Sequence, residues 1–352
     1  MSELREFKNP FIDMVIAPKS VDEILSPAIR RALRISSKSP KVPLTKAKRI
    51  SERRIMVMTD YIIRRLRDIC YTTPFISELH PFYRDLAYVL VDVDKFRKSL
   101  AKVKGAINII IKIRNEYLKA IRNATDKEEV RKARKAFIGR IASLLEDLEE
   151  DLITIREAQL ALRRLPSINP YLKTIVVAGP PNVGKSSFVK RVSTAEPEIR
   201  EYPFTTKSLI LGHIIIEDLY IQIIDTPGLL DRPFSERNKI ELQAILALKH
   251  LANVIIFLFD PSLTCGYPLE HQVNVYNDVK QHFSNVPIIP VMNKVDIAKE
   301  EEKEKLRSML NEDLIEMSVL TGQNVNKVLK MALSNLRLPE YYLKKAYEMF
   351  KD

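Results

Sequence analysis

The chain has 352 residues, a formal net charge of +12, two cysteines, no tryptophan and only eight glycines, where average usage would give about 25. So few glycines argue against collagen-like, glycine-rich and low-complexity architectures and suit a helix-rich protein of about two domains. Cys70 and Cys265 cannot build a disulfide framework, no apolar run approaches the roughly 18 residues that span a bilayer, and the charged N-terminus lacks an apolar leader. A cytoplasmic protein without a membrane partner is therefore expected.

The charge is uneven along the chain. Residues 1–165 hold 35 Lys and Arg against 22 Asp and Glu, net +13, and residues 166–352 hold 22 against 23, net −1. The basic half reads as helices. Proline is absent between Pro81 and Pro166 and between Pro43 and Pro74, so long helices fit both windows. Helices are predicted near 20–35, 44–71, 82–123 and 126–164. In the last, Phe137, Ile141, Leu144, Leu148, Leu152, Ile155 and Leu162 step by three and four, with Gln159 in the one gap. Ser20 to Glu23 and Thr125 to Glu128 both fit a capping box. Lengths of this order suggest an antiparallel bundle.

The second half alternates. Apolar strands are predicted at 174–178, 214–216, 220–224, 254–259 and 288–292, with helices near 185–194, 235–251, 269–284 and 300–311. Continuous apolar strands between helices indicate a mostly parallel sheet with helices on both faces. The expected domains are a basic helical bundle over 1–165, an α/β domain over 166–338 and a short C-terminal helix over 339–352.

Gly179-Pro180-Pro181-Asn182-Val183-Gly184-Lys185-Ser186 follows the first strand and opens a helix, the context a phosphate-binding P-loop requires. Backbone N–H groups from Asn182 through Val183, Gly184, Ser186 and Ser187 would face a polyphosphate. Lys185 would bridge its β- and γ-phosphates, and Ser186 would ligate Mg²⁺. Asp225-Thr226-Pro227-Gly228 ends a later strand. There Asp225 can hold a metal-bound water, and the Gly228 amide can approach a γ-phosphate. In Asn293-Lys294-Val295-Asp296, the aspartate can accept two hydrogen bonds from guanine, a pattern adenine cannot match. The Lys294 stem can lie against the base. Ser318-Val319-Leu320, before a helix-starting Gly322, fits a loop backing the guanine. Between the first two motifs, Tyr202-Pro203-Phe204-Thr205-Thr206-Lys207 offers a threonine whose hydroxyl could ligate Mg²⁺ while its amide meets the γ-phosphate, as in a switch segment. Lys185, Thr206 and Gly228 are the candidate catalytic groups, and GTP with Mg²⁺ is the expected ligand set.

These motifs in this order resemble translation-factor-like GTPases, and Tyr-Pro-Phe-Thr-Thr points to the Obg-related branch. The stretch from Phe259 to Gln272, with Asn9-Pro10-Phe11 ahead of a basic helical domain, resembles the nucleolar GTP-binding protein (Nog-type) family. The resemblance favours Thr206 over Thr205. It implies a GTPase acting in large ribosomal subunit assembly, with the precursor and its rRNA as partners and no small-molecule substrate beyond GTP. The end of the chain shortly after Leu338 suggests the short archaeal form, and a monomer is expected. Leu229 stands where many GTPases carry a water-orienting glutamine, so slow intrinsic hydrolysis is expected. Asn182 resembles an asparagine that helps bind K⁺ in some related GTPases, against a plain turn-forming role.

The five histidines show no metal-ligand spacing, and Cys265 has no activating neighbours in sequence. Basic clusters at 46–54, 64–67 and 131–135 can neutralise RNA phosphates; a solvated surface or an anionic protein partner are the alternatives. The competing functional reading is a structural RNA-binding scaffold in which bound GTP only stabilises shape.

Overall fold

The computed structural model describes residues 7–36, 42–203 and 208–350. Phe204, Thr205, Thr206 and Lys207 lie outside them. The elements in chain order are α1 (Asp22–Leu33), α2 (Pro43–Tyr71), α3 (Pro81–Leu90), α4 (Val93–Asn123), α5 (Lys127–Glu146), α6 (Glu149–Leu162), β1 (Lys173–Ala178), α7 (Lys185–Val192), β2 (Glu198–Arg200), β3 (Leu209–Ile216), β4 (Leu219–Asp225), α8 (Lys239–Ala247), β5 (Val254–Phe259), α9 (Leu269–His282), β6 (Ile288–Met292), α10 (Glu300–Leu310), β7 (Ile315–Glu316), α11 (Val325–Asn335) and α12 (Glu340–Met349).

Two compact units result. One holds Pro10–Ile76 and Leu90–Arg164. The other holds Ser77–Val89 and the chain from Leu165 on, together with the segment ending at Asn9.

The helical unit is antiparallel at its centre. Arg114 pairs with Asp60 at 3.2 Å and Arg122 with Glu52 at 3.0 Å, so α4 ascends as α2 descends. Arg140 of α5 returns to Glu116 of α4 at 3.1 Å. Apolar side chains at helical spacing close the core, among them Ile62, Phe96, Ile110, Phe137 and Ile141. Gln159, the gap in the apolar stripe, is fully buried. It accepts from the Ala17 amide at 2.8 Å and donates to the Val15 carbonyl at 3.1 Å, pinning the segment before α1.

Three expectations for this half change. The helix foreseen over 82–123 is two, because Asp92 starts a new one by accepting from the Lys95 amide at 2.9 Å. The helix foreseen over 126–164 is interrupted at Asp147 and Leu148. Their backbones stay in the helical region, and Glu149, Glu150 and Asp151 reinforce the next start. Neither capping box forms as read. At α5 the cap is Asp126 with Glu129 closing back on Thr125, and at α1 no side chain caps the helix.

The boundary at 165 changes as well, because α3 packs with the sheet unit. The Tyr83 hydroxyl donates to the carbonyls of Pro166 and Ile168 at 2.8 Å each, and Asp85 meets His250 at 2.8 Å.

The second unit is a seven-stranded sheet in the order β2-β3-β4-β1-β5-β6-β7. The run β4-β1-β5-β6-β7 is parallel, and β3 and β2 add antiparallel at one edge. β5 is buried along its full length, as a central strand covered on both faces should be. On one face β1, β4 and β5 pack against α7 and α11 through Val177, Ile223, Val189 and Leu329. β3 runs from Leu209, five residues before the predicted start. Its Gly212 permits close packing, because a Cβ there would press on Ile223 and Val189. β2 and β7 add to the predicted elements, and the helix foreseen from Gly322 is α11.

Candidate functional site

β1 runs straight into the loop from Gly179, and Gly184 begins α7 with φ of 106°. A Cβ at Gly184 would collide with the Asn293 side-chain amide, so only glycine lets the two loops meet. Asn182 holds φ of 64°, a left-handed position that asparagine tolerates, which accounts for it as a turn residue. The Lys185 ammonium is buried beneath the loop and donates to the carbonyls of Gly179 and Pro180 at 2.8 Å each.

β4 pairs with β1 in parallel register, which sets Asp225 beside Val177. The Ser186 hydroxyl donates to Asp225 Oδ2. Asp225 is fully buried, and its Oδ1 lacks a well-formed partner among the described residues. Burial pushes its carboxyl above the usual range, against the Ser186 hydrogen bond and the Lys185 charge. A hydroxyl beside a buried carboxylate with a spare lone pair is a donor set that fits a hard divalent cation, directly at Ser186 and through water at Asp225. No cluster of three or more His, Cys, Asp or Glu suited to a metal occurs among the described residues.

Gly228 takes φ of 79°. Its amide, expected to face a γ-phosphate, donates to Asp231 Oδ2 at 2.7 Å. Arg237 donates to the Gly228 carbonyl at 2.7 Å and to Asp231 Oδ1 at 3.0 Å, and its side chain is only 2% exposed. Leu229 is buried, so it presents neither a hydrogen bond nor a free surface to water. Its neighbour Leu230 accepts the Gly179 amide at 3.0 Å, which joins this segment to the phosphate loop.

Asn293 organises the other side. Its Nδ2 donates to the Val183 carbonyl at 2.8 Å, and its Oδ1 accepts the Val319 amide at 3.0 Å. One buried side chain thus ties the phosphate loop to the 318–320 loop. The Arg191 guanidinium of α7 donates to the Val319 carbonyl at 3.0 Å and lies where a Cβ on Gly322 would fall. Ser318 is buried and accepts the Thr321 amide at 3.2 Å, whereas Leu320 is 84% exposed. α11 begins only at Val325, after a left-handed Asn324, so Gly322 belongs to the loop and not to a helix start. These loops enclose a cavity of about 540 Å³ that includes Gly184, Ser187, Lys294, Asp296 and Val319 in its wall. Asp296 is exposed at its rim.

Of the predicted site residues, Gly184, Ser187, Asn293, Lys294, Asp296, Ser318, Val319 and Leu320 line this cavity; Val183 is tied to it through Asn293, while Lys185, Ser186 and Asp225 are joined to the phosphate loop by their own hydrogen bonds. Asp231, Arg237 and Arg191, which contact the predicted site residues, were missed in sequence. Asp231 follows Leu230 directly, but Arg237 lies six residues further on among Arg232, Glu236 and Lys239, so nothing in the sequence singles out the pair.

The sequence matches known proteins along most of its length. The family model for the NOG1 N-terminal helical domain matches residues 11–169. The model for nucleolar GTP-binding protein 1 (NOG1) matches residues 239–296. An uncharacterized protein of Methanocaldococcus jannaschii is 40% identical over 298 residues, 83% of each chain. Nucleolar GTP-binding protein 1 of Drosophila melanogaster is 35% identical over 306 residues, 85% of this chain and 47% of that one. The Arabidopsis thaliana protein of the same name is 33% identical over 333 residues, 90% and 49%. A crystal structure of nucleolar GTP-binding protein 1 from Plasmodium falciparum shares 38% identity over 49% of this chain and 90% of that one, with a TM-score of 0.42. The chain spans about half the length of the nucleolar GTP-binding protein 1 relatives it matches. With the helical-domain model matched over 11–169 and the GTP-binding protein model over 239–296 of the same chain, the chain belongs to the nucleolar GTP-binding protein 1 family.

Proposed function

We propose that this chain binds GTP and hydrolyses it to GDP and phosphate, as a switch in large ribosomal subunit assembly, with the helical unit on rRNA. The observation that carries the nucleotide reading is Asn293, whose one side chain couples the 179–186 loop to the 318–320 loop. Asp296 then supplies the acceptor pair that selects guanine.

In this reading Lys185 exchanges its two carbonyl partners for β- and γ-phosphate oxygens, and the amides of residues 182–187 hold the polyphosphate. Ser186 directly and Asp225 through water would hold Mg²⁺, which would supply charge neutralisation at those phosphates. Thr206 is the second hydroxyl ligand, and Phe204 and Thr205 belong to the same switch. Hydrolysis forms a bond from water to the γ-phosphorus and breaks the bond to the β–γ bridging oxygen, so that GDP leaves with the electron pair. The Gly228 amide meets the γ-phosphate once Asp231 has released it.

Leu229 supports slow intrinsic turnover, since a buried leucine positions no water. If K⁺ serves in place of an arginine finger, Asn182 is its ligand, and turnover in KCl will exceed that in NaCl at equal ionic strength. Equal rates leave Asn182 as a turn residue.

Support for the RNA reading comes from the exposed stripe of α2. Lys46, Arg49, Arg53, Arg64 and Arg67 are all exposed at steps that keep to one helix face, a line of about 30 Å. No ion pair involves any of the five among the described residues, as a phosphate-binding face requires.

The test is nucleotide titration of wild type and Asp296→Asn, followed by single-turnover hydrolysis with and without large-subunit precursors. Asp296→Asn should move preference from GTP to xanthosine triphosphate, and precursor should stimulate turnover. Buried Leu229 also favours a second reading, a scaffold that holds GTP without using it. Tight GTP binding with no hydrolysis under either condition selects that one.

A further inference from the structure

The stretch from Asp260 to Gln272, which follows β5, has no role in the nucleotide chemistry described above. Its geometry centres on one carboxylate. Asp260 is fully buried. Its Oδ1 accepts the Ser262 amide at 2.9 Å and the Ser262 hydroxyl. Its Oδ2 accepts the Cys265 amide at 2.8 Å and the Thr264 hydroxyl at 3.1 Å.

The remaining donor comes from outside the loop. The Lys294 ammonium reaches Asp260 Oδ2 at 2.7 Å and Thr264 Oγ1 at 2.9 Å. The loop is held in turn from α9. Gln272, also fully buried, accepts the Asp260 amide at 2.8 Å and donates to the Asp260 carbonyl at 3.0 Å, so both backbone groups of Asp260 are fixed. Lys294 itself sits at φ of 59°, a strained position for a residue other than glycine. Lys294 forms part of the wall of the cavity beside Asp296.

A lysine side chain has four rotatable bonds, and a free one would have to be ordered at every binding event. Here the ammonium is tied down at its far end. That leaves the methylene stem stretched between the Asn293 loop and Asp260, as a fixed apolar surface beside Asp296. Burial opposes ionisation of Asp260, but the Lys294 and Ser262 hydrogen bonds hold its carboxyl below the usual aspartate range, so the anchor is charged at neutral pH.

We infer that Asp260, with Thr264, is a positioning residue for the base site. It presets the Lys294 stem as the wall against which a guanine lies, and so sets affinity for guanine nucleotides without touching them. This rests on the nucleotide reading above.

The experiment is a double-mutant cycle read by GDP binding to the full chain. The variants are Lys294→Ala, Asp260→Asn, Thr264→Val and each loop variant combined with Lys294→Ala. Lys294→Ala and Asp260→Asn should each weaken GDP by about tenfold, the scale of a hydrogen bond to a charged group, and Thr264→Val by less. In the Lys294→Ala background neither loop change should weaken GDP further. If both loop changes cost as much there as in wild type, they act through general structure and the positioning role is overturned. Thr264 is exposed, so Thr264→Val keeps the test valid should Asp260→Asn fail to fold. Wild type that does not bind GDP at all would instead overturn the nucleotide reading, an outcome distinct from additivity.

Discussion

The carboxylate of Asp231 accepts the amide hydrogen of Gly228 at 2.7 Å, so an internal anion occupies the donor that the proposed reaction assigns to a γ-phosphate. The two acceptors compete for one N–H. GDP does not enter that competition, because it lacks the third phosphate. Asp231→Asn retains the side-chain size and weakens the acceptor, and because it also removes the counter-charge of Arg237, affinities are compared on protein shown by circular dichroism to be folded. It should raise affinity for a non-hydrolysable GTP analogue about fivefold while leaving GDP affinity in place, the scale of about 1 kcal/mol for one hydrogen bond. Equal change in both dissociation constants would show that Asp231 does not compete.

Arg237 is the counterweight to that anion. Its side chain is 2% exposed, that of Asp231 7%, and it also satisfies the Gly228 carbonyl. Removing one partner of such a pair strands the other in a low-dielectric site. Arg237→Met should therefore destabilise the sheet unit by about 3–5 kcal/mol. Urea denaturation followed by circular dichroism reads this as a lower midpoint, and an unchanged midpoint would argue against a buried pair.

The stripe on α2 gives a prediction about salt. Each cation that neutralises a phosphate contributes roughly one unit to the slope of log affinity against log salt. Replacing Arg49, Arg53 and Arg64 together by alanine should flatten that slope by about 2–3 units for RNA binding, with folding intact because all three are exposed. A flat response in wild type would remove the stripe as an RNA face.

Asp260 also predicts an acid limb. Its folded-state pKa lies below the ordinary aspartate value, with Lys294 the opposite charge against it and the Cys265 thiol, raised by burial, close by. A lowered carboxyl stabilises the fold above its unfolded pKa, and that contribution is lost as pH falls through the folded value. The stability gap between wild type and Asp260→Asn should therefore be full near neutral pH and shrink below about pH 4. A gap independent of pH would place the effect in packing.

Much of the proposed nucleotide site could be written from the sequence because its chemistry fixes spacing locally. A phosphate loop needs glycine at 179 and 184, where φ is positive, and a lysine and a serine directly after. The roles of Asp231, Arg237 and Asp260 were not legible, because each depends on partners brought in by tertiary folding. Asp260 meets Lys294 across 34 residues. The split between α3 and α4 was hidden for another reason. Absence of proline permits a continuous helix but does not require one, and a single aspartate at 92 was enough to start a new one. α11 was foreseen with its start at Gly322, but the helix begins at Val325 after a left-handed Asn324.

The placement of α3 has a consequence for biosynthesis. Residues 77–89 belong to the sheet unit, yet they emerge from the ribosome long before the segment at 166–168 that accepts the Tyr83 hydroxyl. During synthesis this helix has no docking site until the chain from Leu165 on has been made. The nascent chain must carry Phe82, Tyr83 and Leu86 uncovered through that interval, although all three are buried at the end. The same order makes the sheet unit impossible to excise with one cut: a fragment starting at 165 would expose the apolar surface that α3 covers.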